Sequence, residues 1–255
     1  MNKIRQNNWF KFFEQKNKID MRLFCFHYGG GSASIFKRWS KDLINEVELV
    51  AIQLPGREER FDEPLLDNID VVINDLFLNF SFYDKPFIFF GHSIGALIAF
   101  ELARILRAKI QLQPQHLIAS SAKAPQVPLK KTPIHKLDDI QFIEELRKYN
   151  GVPEYILQDN EIMSLFMPIM RADFRISETY IYHDQKPLDF PITALGGIGD
   201  NTFDLKDLAE WQKQTTNSFK QSILNGDHFF INASYDETIK IINHILLKEI
   251  RNSKA

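Results

Sequence analysis

Three side chains far apart in this 255-residue sequence have the types needed for acyl transfer through a covalent intermediate: Ser93, Asp200 and His228. A serine hydroxyl is a weak nucleophile until a base takes its proton, and an imidazole base needs a carboxylate to hold its tautomer. Ser93 lies in Gly91-His92-Ser93-Ile94-Gly95, with a glycine two residues to either side. That spacing suits a serine on a sharp strand-to-helix turn, where neighbours without a Cβ let the two elements approach closely. The amide of Ile94, opening the helix, would then face a developing oxyanion. A tight turn whose serine only caps the helix uses the same residues and is the plainer alternative.

Seven histidines compete for the role of base. His27 precedes the nucleophile in the chain and His92 is fixed beside it, while His116 begins a strand. His135, His183 and His244 fall in an insertion or in the last helix pattern, which favours His228, in a Gly-Asp-His turn after the last strand, with a stray loop histidine as the alternative. For the acid, Asp200 follows an apolar strand through Gly196-Gly197-Ile198-Gly199, a turn able to aim a carboxylate across a sheet edge. Asp204 and Asp207 read as first-turn residues of the next helix, where the dipole favours acids. Asp227, adjacent to His228, should point elsewhere. The order serine, acid, histidine is that of an α/β-hydrolase triad.

The elements that must position these groups alternate. Phe87 to Phe90 is a continuous apolar run, as expected of a strand covered on both faces, and Ala96 to Arg107 is rich in helix formers. Met21 to Tyr28, Glu48 to Leu54, His116 to Ser121, Phe190 to Gly197 and Ser218 to Leu224 also read as strands. Ile35 to Asn45, Asp67 to Phe80 and Ser234 to Ile250 read as helices between or after them. The alternation predicts an α/β fold: a mostly parallel sheet flanked by helices, in one domain spanning 1–255. Gly29-Gly30-Gly31, straight after the first clear strand, can turn amides toward a bound group; it lacks the spacing of a dinucleotide fingerprint and the Gly-Lys-Ser/Thr of a P-loop. Arg57-Glu58-Glu59-Arg60 reads as a solvated loop. From about 123 to 189 the alternation stops, and helix patterns at Asp138 to Tyr149, Asn160 to Met167 and Ala172 to Tyr182 are broken by prolines, Pro168 among them. An insertion this long reads as a helical lid. Within it Phe166, Met167, Met170 and Phe174 offer adaptable apolar surface for an acyl chain, or simply pack the lid onto the body.

Composition narrows the function classes. Hydrophobic residues make up 44% of the chain and it carries 22 Phe, enough for a sizeable core, while a net charge of −2 leaves no electrostatic footprint for nucleic acid. The one cysteine, Cys25, allows no internal disulfide and no thiolate-rich metal site, and should be buried and inert. Residues 1–20 mix basic side chains with Trp9, Phe12 and Phe13 at helical spacing; an amphipathic helix docked on the body is expected rather than stable membrane association. With no signal-peptide core and no long apolar run, a cytoplasmic protein is expected, without metal or resident cofactor.

Taken together, Phe26-His27-Tyr28-Gly29-Gly30-Gly31-Ser32-Ala33-Ser34, Gln53-Leu54-Pro55-Gly56-Arg57-Glu58, Phe90-Gly91-His92-Ser93-Ile94-Gly95-Ala96, Arg171-Ala172-Asp173-Phe174, Gly196-Gly197-Ile198-Gly199-Asp200 and Gly226-Asp227-His228-Phe229-Phe230 resemble the type II thioesterases that accompany nonribosomal peptide and polyketide synthases. The match runs in order from about Leu23 to Ile245. The resemblance implies an α/β-hydrolase fold and removal of mis-primed or stalled acyl groups from the phosphopantetheine arm of acyl or peptidyl carrier proteins. It also implies a Ser93–Asp200–His228 triad with Ile94 and Gly29 amides as the oxyanion hole; separately, a monomer is expected. His27 stands where the family commonly has Pro, Gly29 where it has Ala, and Ile94 where Met is frequent. Backbone donors do not depend on those side chains, although the shape of the pocket does. The alternatives are a medium- or long-chain fatty acyl thioesterase, a general esterase, and a catalytically silent fold that only binds carrier proteins.

Overall fold

In the computed structural model of the protein, which describes residues 7–16, 18–130 and 132–254, the apolar run before the serine is the heart of a strand buried along its whole length, β4 (Phe87–His92). It pairs in parallel with β2 (Met21–Phe26) on one side and β5 (Leu117–Ser120) on the other. Outside these lie β3 (Val47–Ile52), β6 (Ile192–Gly197) and β7 (Phe219–Leu224), giving the order β1-β3-β2-β4-β5-β6-β7. Among the described residues only β1 (Phe10–Phe12) runs antiparallel, with Phe10, Lys11 and Phe12 opposite Ile52, Ala51 and Val50. The sheet is therefore mostly parallel and needs helical cover on both faces.

That cover follows the two-residue period of the strands. Phe24, Phe26 and Phe89 face one core, into which α2 (Ile69–Asn79) and α3 (Ile94–Ile110) insert Val72, Leu76, Ala99 and Leu102. Leu23, Cys25, Ile88 and Phe90 face the other, filled by Phe36, Trp39 of the short α1 (Trp39–Asp42), and Ile242 and Leu246 of α9 (Tyr235–Lys254). Cys25 is fully buried, and burial pushes its thiol well up. No helix among the described residues is long and apolar enough to cross a membrane.

Between β5 and β6 come α4 (Asp139–Tyr149), α5 (Glu154–Leu157) and α6 (Asn160–Glu178), with an apolar cluster of their own around Phe142, Leu146 and Met163. The two short helices expected around Pro168 are one helix of 19 residues. Proline removes one amide donor, but burial of Met163, Ile169, Met170 and Ile176 on both sides of it holds the helix together. After β6, α7 (Leu205–Ala209) and a 3-10 turn over Glu210–Gln214 lead to β7, and α8 (Phe230–Ala233) precedes α9.

Two further expectations change. Ile35 to Asn45 is not one helix but a 3-10 turn (Ala33–Phe36) followed by α1. The aromatic N-terminal stretch docks as the strand β1 and not as a helix, with Trp9 and Phe10 buried; residues 1–6 and 17 of that expectation lie outside the described residues. Pairing with β3 satisfies backbone groups that an edge would otherwise leave open.

Candidate active site

The turn between β4 and α3 places Ser93 at φ 56°, ψ −123°, a left-handed conformation that costs a β-carbon residue on the order of 1–3 kcal/mol. The flanking glycines make it feasible. A Cβ at Gly91 would lie 2.3 Å from the Gly95 carbonyl oxygen, and one at Gly95 would lie 2.2 Å from that of Phe26. The Ser93 amide donates to the Ser120 carbonyl at 2.8 Å, tying the turn to β5. Its hydroxyl caps no amide of α3, so the plain capping alternative does not hold.

Asp200 and His228 meet across the ends of β6 and β7. Nδ1 of His228 lies 2.9 Å from Oδ2 of Asp200, whose side chain is fully buried. A carboxylate only accepts, so Nδ1 carries the proton and Nε2 is the nitrogen left to take one. Thr202, which sequence reasoning missed, completes the pair: its amide and hydroxyl both donate to Asp200 Oδ1, at 2.9 and 2.7 Å. Burial pushes the Asp200 carboxyl up, but the hydrogen bonds from His228 and Thr202 outweigh it and hold the group below its usual range. No hydrogen bond joins His228 to the Ser93 hydroxyl among the described residues; both line one cavity, and such contacts often tighten only with substrate bound.

His92, next to the serine, has a different task. Fully buried, it donates from Nε2 to the carbonyl of His228 at 2.8 Å and contacts Ser120 Oγ at 2.9 Å through Nδ1. Ser121 Oγ donates to the same carbonyl at 3.0 Å, so two side chains pin the loop that carries His228. Burial, then the nearby His228, lowers the pKa of His92 to about 3. His116 and His135 also meet carboxylates, Glu249 and Glu178, but neither histidine lines the Ser93 cavity. Asp227 accepts from Asn150 and Phe229, and Asp204 and Asp207 from Lys130, so each is committed away from His228.

The cavity has a volume of about 680 Å³. Gly29, Ile94, Phe166, Met170 and Phe174 line it, joined by Leu97, Val127 and Leu129. Met167 does not; it packs against the internal apolar cluster of the helical insertion. Arg57 and Arg60 correct the expectation of a solvated loop. Both are buried: Arg57 pairs with Asp173 of α6, and Arg60 donates to the Gln53 carbonyl and lies 4.4 Å from the Trp9 ring centroid. Among the described residues no cluster of His, Cys, Asp and Glu is arranged to hold a metal ion.

A strained serine, an acid-paired imidazole and a helix-opening amide around one apolar cavity are groups of the types that attack on an acyl carbon requires. Comparison with known proteins points the same way. The family model described as "Thioesterase domain" matches residues 21–246. The gramicidin S biosynthesis protein GrsT of Aneurinibacillus migulanus is 43% identical over 237 residues, covering 92% of this chain and 93% of that protein. Thioesterase PikA5 of Streptomyces venezuelae is 34% identical over 241 residues, 94% of this chain and 85% of that protein. Among solved structures, the type II thioesterase BorB from the borrelidin biosynthetic cluster superposes with a TM-score of 0.85 at 30% identity, covering 93% of this chain and 97% of that one.

Proposed function

This chain belongs to the thioesterase domain family, and from that membership we propose that it is an editing enzyme that clears mis-primed or stalled acyl groups from the phosphopantetheine arm of acyl or peptidyl carrier proteins. The observation that carries the reading is the 2.9 Å contact between His228 Nδ1 and Asp200, made at the cavity that Ser93 enters from its strained turn.

In the proposed reaction Ser93 Oγ attacks the thioester carbonyl while His228 Nε2 takes its proton. The oxyanion of the tetrahedral intermediate is held by the amides of Ile94 and Gly29. Collapse breaks the C–S bond and expels the phosphopantetheine sulfur, which the imidazolium protonates. A thiol has a pKa near 8.5, so this departure leans less on the acid than that of an amine. Water then attacks the acyl-Ser93 ester, His228 takes its proton, and collapse returns that proton to Ser93 as the carboxylic acid leaves. No resident cofactor enters, since phosphopantetheine arrives with the substrate. The enzyme works as a monomer in the cytoplasm, beside the synthase that supplies its carrier proteins. The apolar lining favours fatty acyl groups as a second reading, and kcat/KM on carrier-bound acetyl against free long-chain esters separates the two.

Ser93→Ala should abolish both acetyl release from a loaded carrier protein and labelling by a fluorophosphonate. Release that continues undiminished in that variant overturns the assignment of Ser93. Wild-type protein that labels but leaves every loaded carrier untouched overturns the choice of substrate.

A further inference from the structure

Asp173 is wholly buried at the edge of the cavity, and its carboxylate is engaged three times. It accepts both terminal nitrogens of Arg57, Nη1 at 2.8 Å and Nη2 at 2.9 Å, and the amide of Gly30 at 2.7 Å. Arg57 reaches the same loop from the other side, donating from Nη1 to the Gly31 carbonyl at 3.1 Å. Gln53, also wholly buried, holds the Arg57 carbonyl at 3.1 Å and the Ala33 amide at 2.7 Å. Gly30, Gly31 and Ala33 are thus each gripped by a buried polar side chain, two of these from the β3 side and one from α6.

The consequence falls on Gly29. The Gly30 amide is committed to Asp173 and the Gly31 amide to the Tyr28 carbonyl at 3.0 Å, which leaves the Gly29 amide uncommitted among the described residues, at the cavity wall. A carboxylate beside Gly30 on its own would repel negative charge growing on a substrate oxygen at Gly29. Paired with a guanidinium in bidentate contact, it presents no net charge but keeps its hold on the loop.

We propose that Arg57 and Asp173 are positioning residues for the oxyanion hole: their ion pair orients the Gly29 amide, cancels the charge behind it, and makes that orientation depend on α6 being seated. This inference rests on the proposed roles of Ser93, Ile94 and Gly29. It implies that α6 cannot lift from the body at Asp173 while the hole remains formed, so the acylation step demands a closed helical insertion even for substrates too small to touch it.

The test uses full-length Arg57→Lys, which keeps the charge but loses the fork, and Asp173→Asn, which keeps an acceptor for Gly30 but loses the charge. Both are assayed on acetyl-loaded carrier protein, with folded sites counted by fluorophosphonate labelling run to completion. Removal of one oxyanion donor in other enzymes costs roughly 100- to 1000-fold in kcat, so a donor left in place but misaimed should cost about 10- to 100-fold per labelled site, with KM within about twofold. Affinity for a trifluoromethyl ketone, which forms a charged adduct with the serine, should fall by the same factor, whereas a non-hydrolysable amide analogue should bind as before. Lower melting temperatures with unchanged kcat per labelled site, or two variants that both fail to fold, would assign the pair to stability alone and overturn the proposal. Failure of the wild type to turn over the thioester strikes the proposed function instead.

Discussion

Ser93 holds a left-handed backbone conformation, and His92 beside it fixes the loop of His228 by holding that residue's carbonyl at 2.8 Å. Burial lowers the pKa of His92 to about 3 and that of His27 to about 4, with Arg57 adding to the effect at His27. In the unfolded chain both would titrate near 6.5. Between the folded and unfolded values the unfolded chain binds more protons, so the stability these residues allow is complete above pH 6.5. It drains as pH falls toward 4 for His27 and toward 3 for His92. At pH 5 the loss is on the order of 2 kcal/mol per histidine. Urea unfolding at pH 7 and pH 5 should show that loss, and His92→Gln should shrink it by about 2 kcal/mol; an unaltered pH slope in the variant would contradict a buried neutral His92. At this scale the turns that carry Ser93, Asp200 and His228 are legible, because each lies in a short stretch whose glycines and flanking strand betray it. Thr202, Arg57 and Asp173 are not. Arg57 reads as one of four consecutive charges, and nothing local to it announces a partner 116 positions away.

At the scale of elements, periodicity succeeds where a segment is long and fails where tertiary pairing overrides it. Trp9, Phe12 and Phe13 fall on one helical face, yet Phe10–Phe12 is a strand because β3 offers an open edge and a phenylalanine cluster waits beneath. The Phe10 ring stands 4.8 Å from that of Phe82 and 6.2 Å from that of Phe24, edge to face. Phe10→Ala should therefore cost about 3–5 kcal/mol, the usual price of deleting a buried aromatic side chain. Chemical denaturation would read it; a change under about 1 kcal/mol, as for an exposed residue, would refute the docked strand. In α6 the failure runs the other way, since Pro168 looks like a boundary and is only an exposed interruption in a helix whose inner face is buried on both sides of it.

Across the whole molecule, the parallel sheet delivers the ends of β4, β6 and β7 to one edge and so gathers the serine, the acid and the histidine. The insertion between β5 and β6 roofs that edge and encloses about 680 Å³, far more room than an acetyl group requires. Leu97, on the first turn of α3, lines this space, and Leu97→Trp should reduce kcat/KM for octanoyl-loaded carrier protein by about tenfold or more while changing the acetyl value by less than about threefold. Equal losses on both would show that acyl chains do not run past Leu97. The sequence by itself determined the alternating architecture, the turn that carries Ser93 and the order of serine, acid and histidine, because these rest on glycine sterics and side-chain periods that act within a dozen residues. Tertiary structure alone decided that Arg57 and Asp173 grip the glycine loop, that Thr202 completes the acid, that Met167 turns inward, and that the N-terminal aromatics form an edge strand. Except for Thr202, which bonds Asp200 only two positions away, these depend on groups distant along the chain that burial brings together, where an unpaired charge or amide is too costly to leave alone.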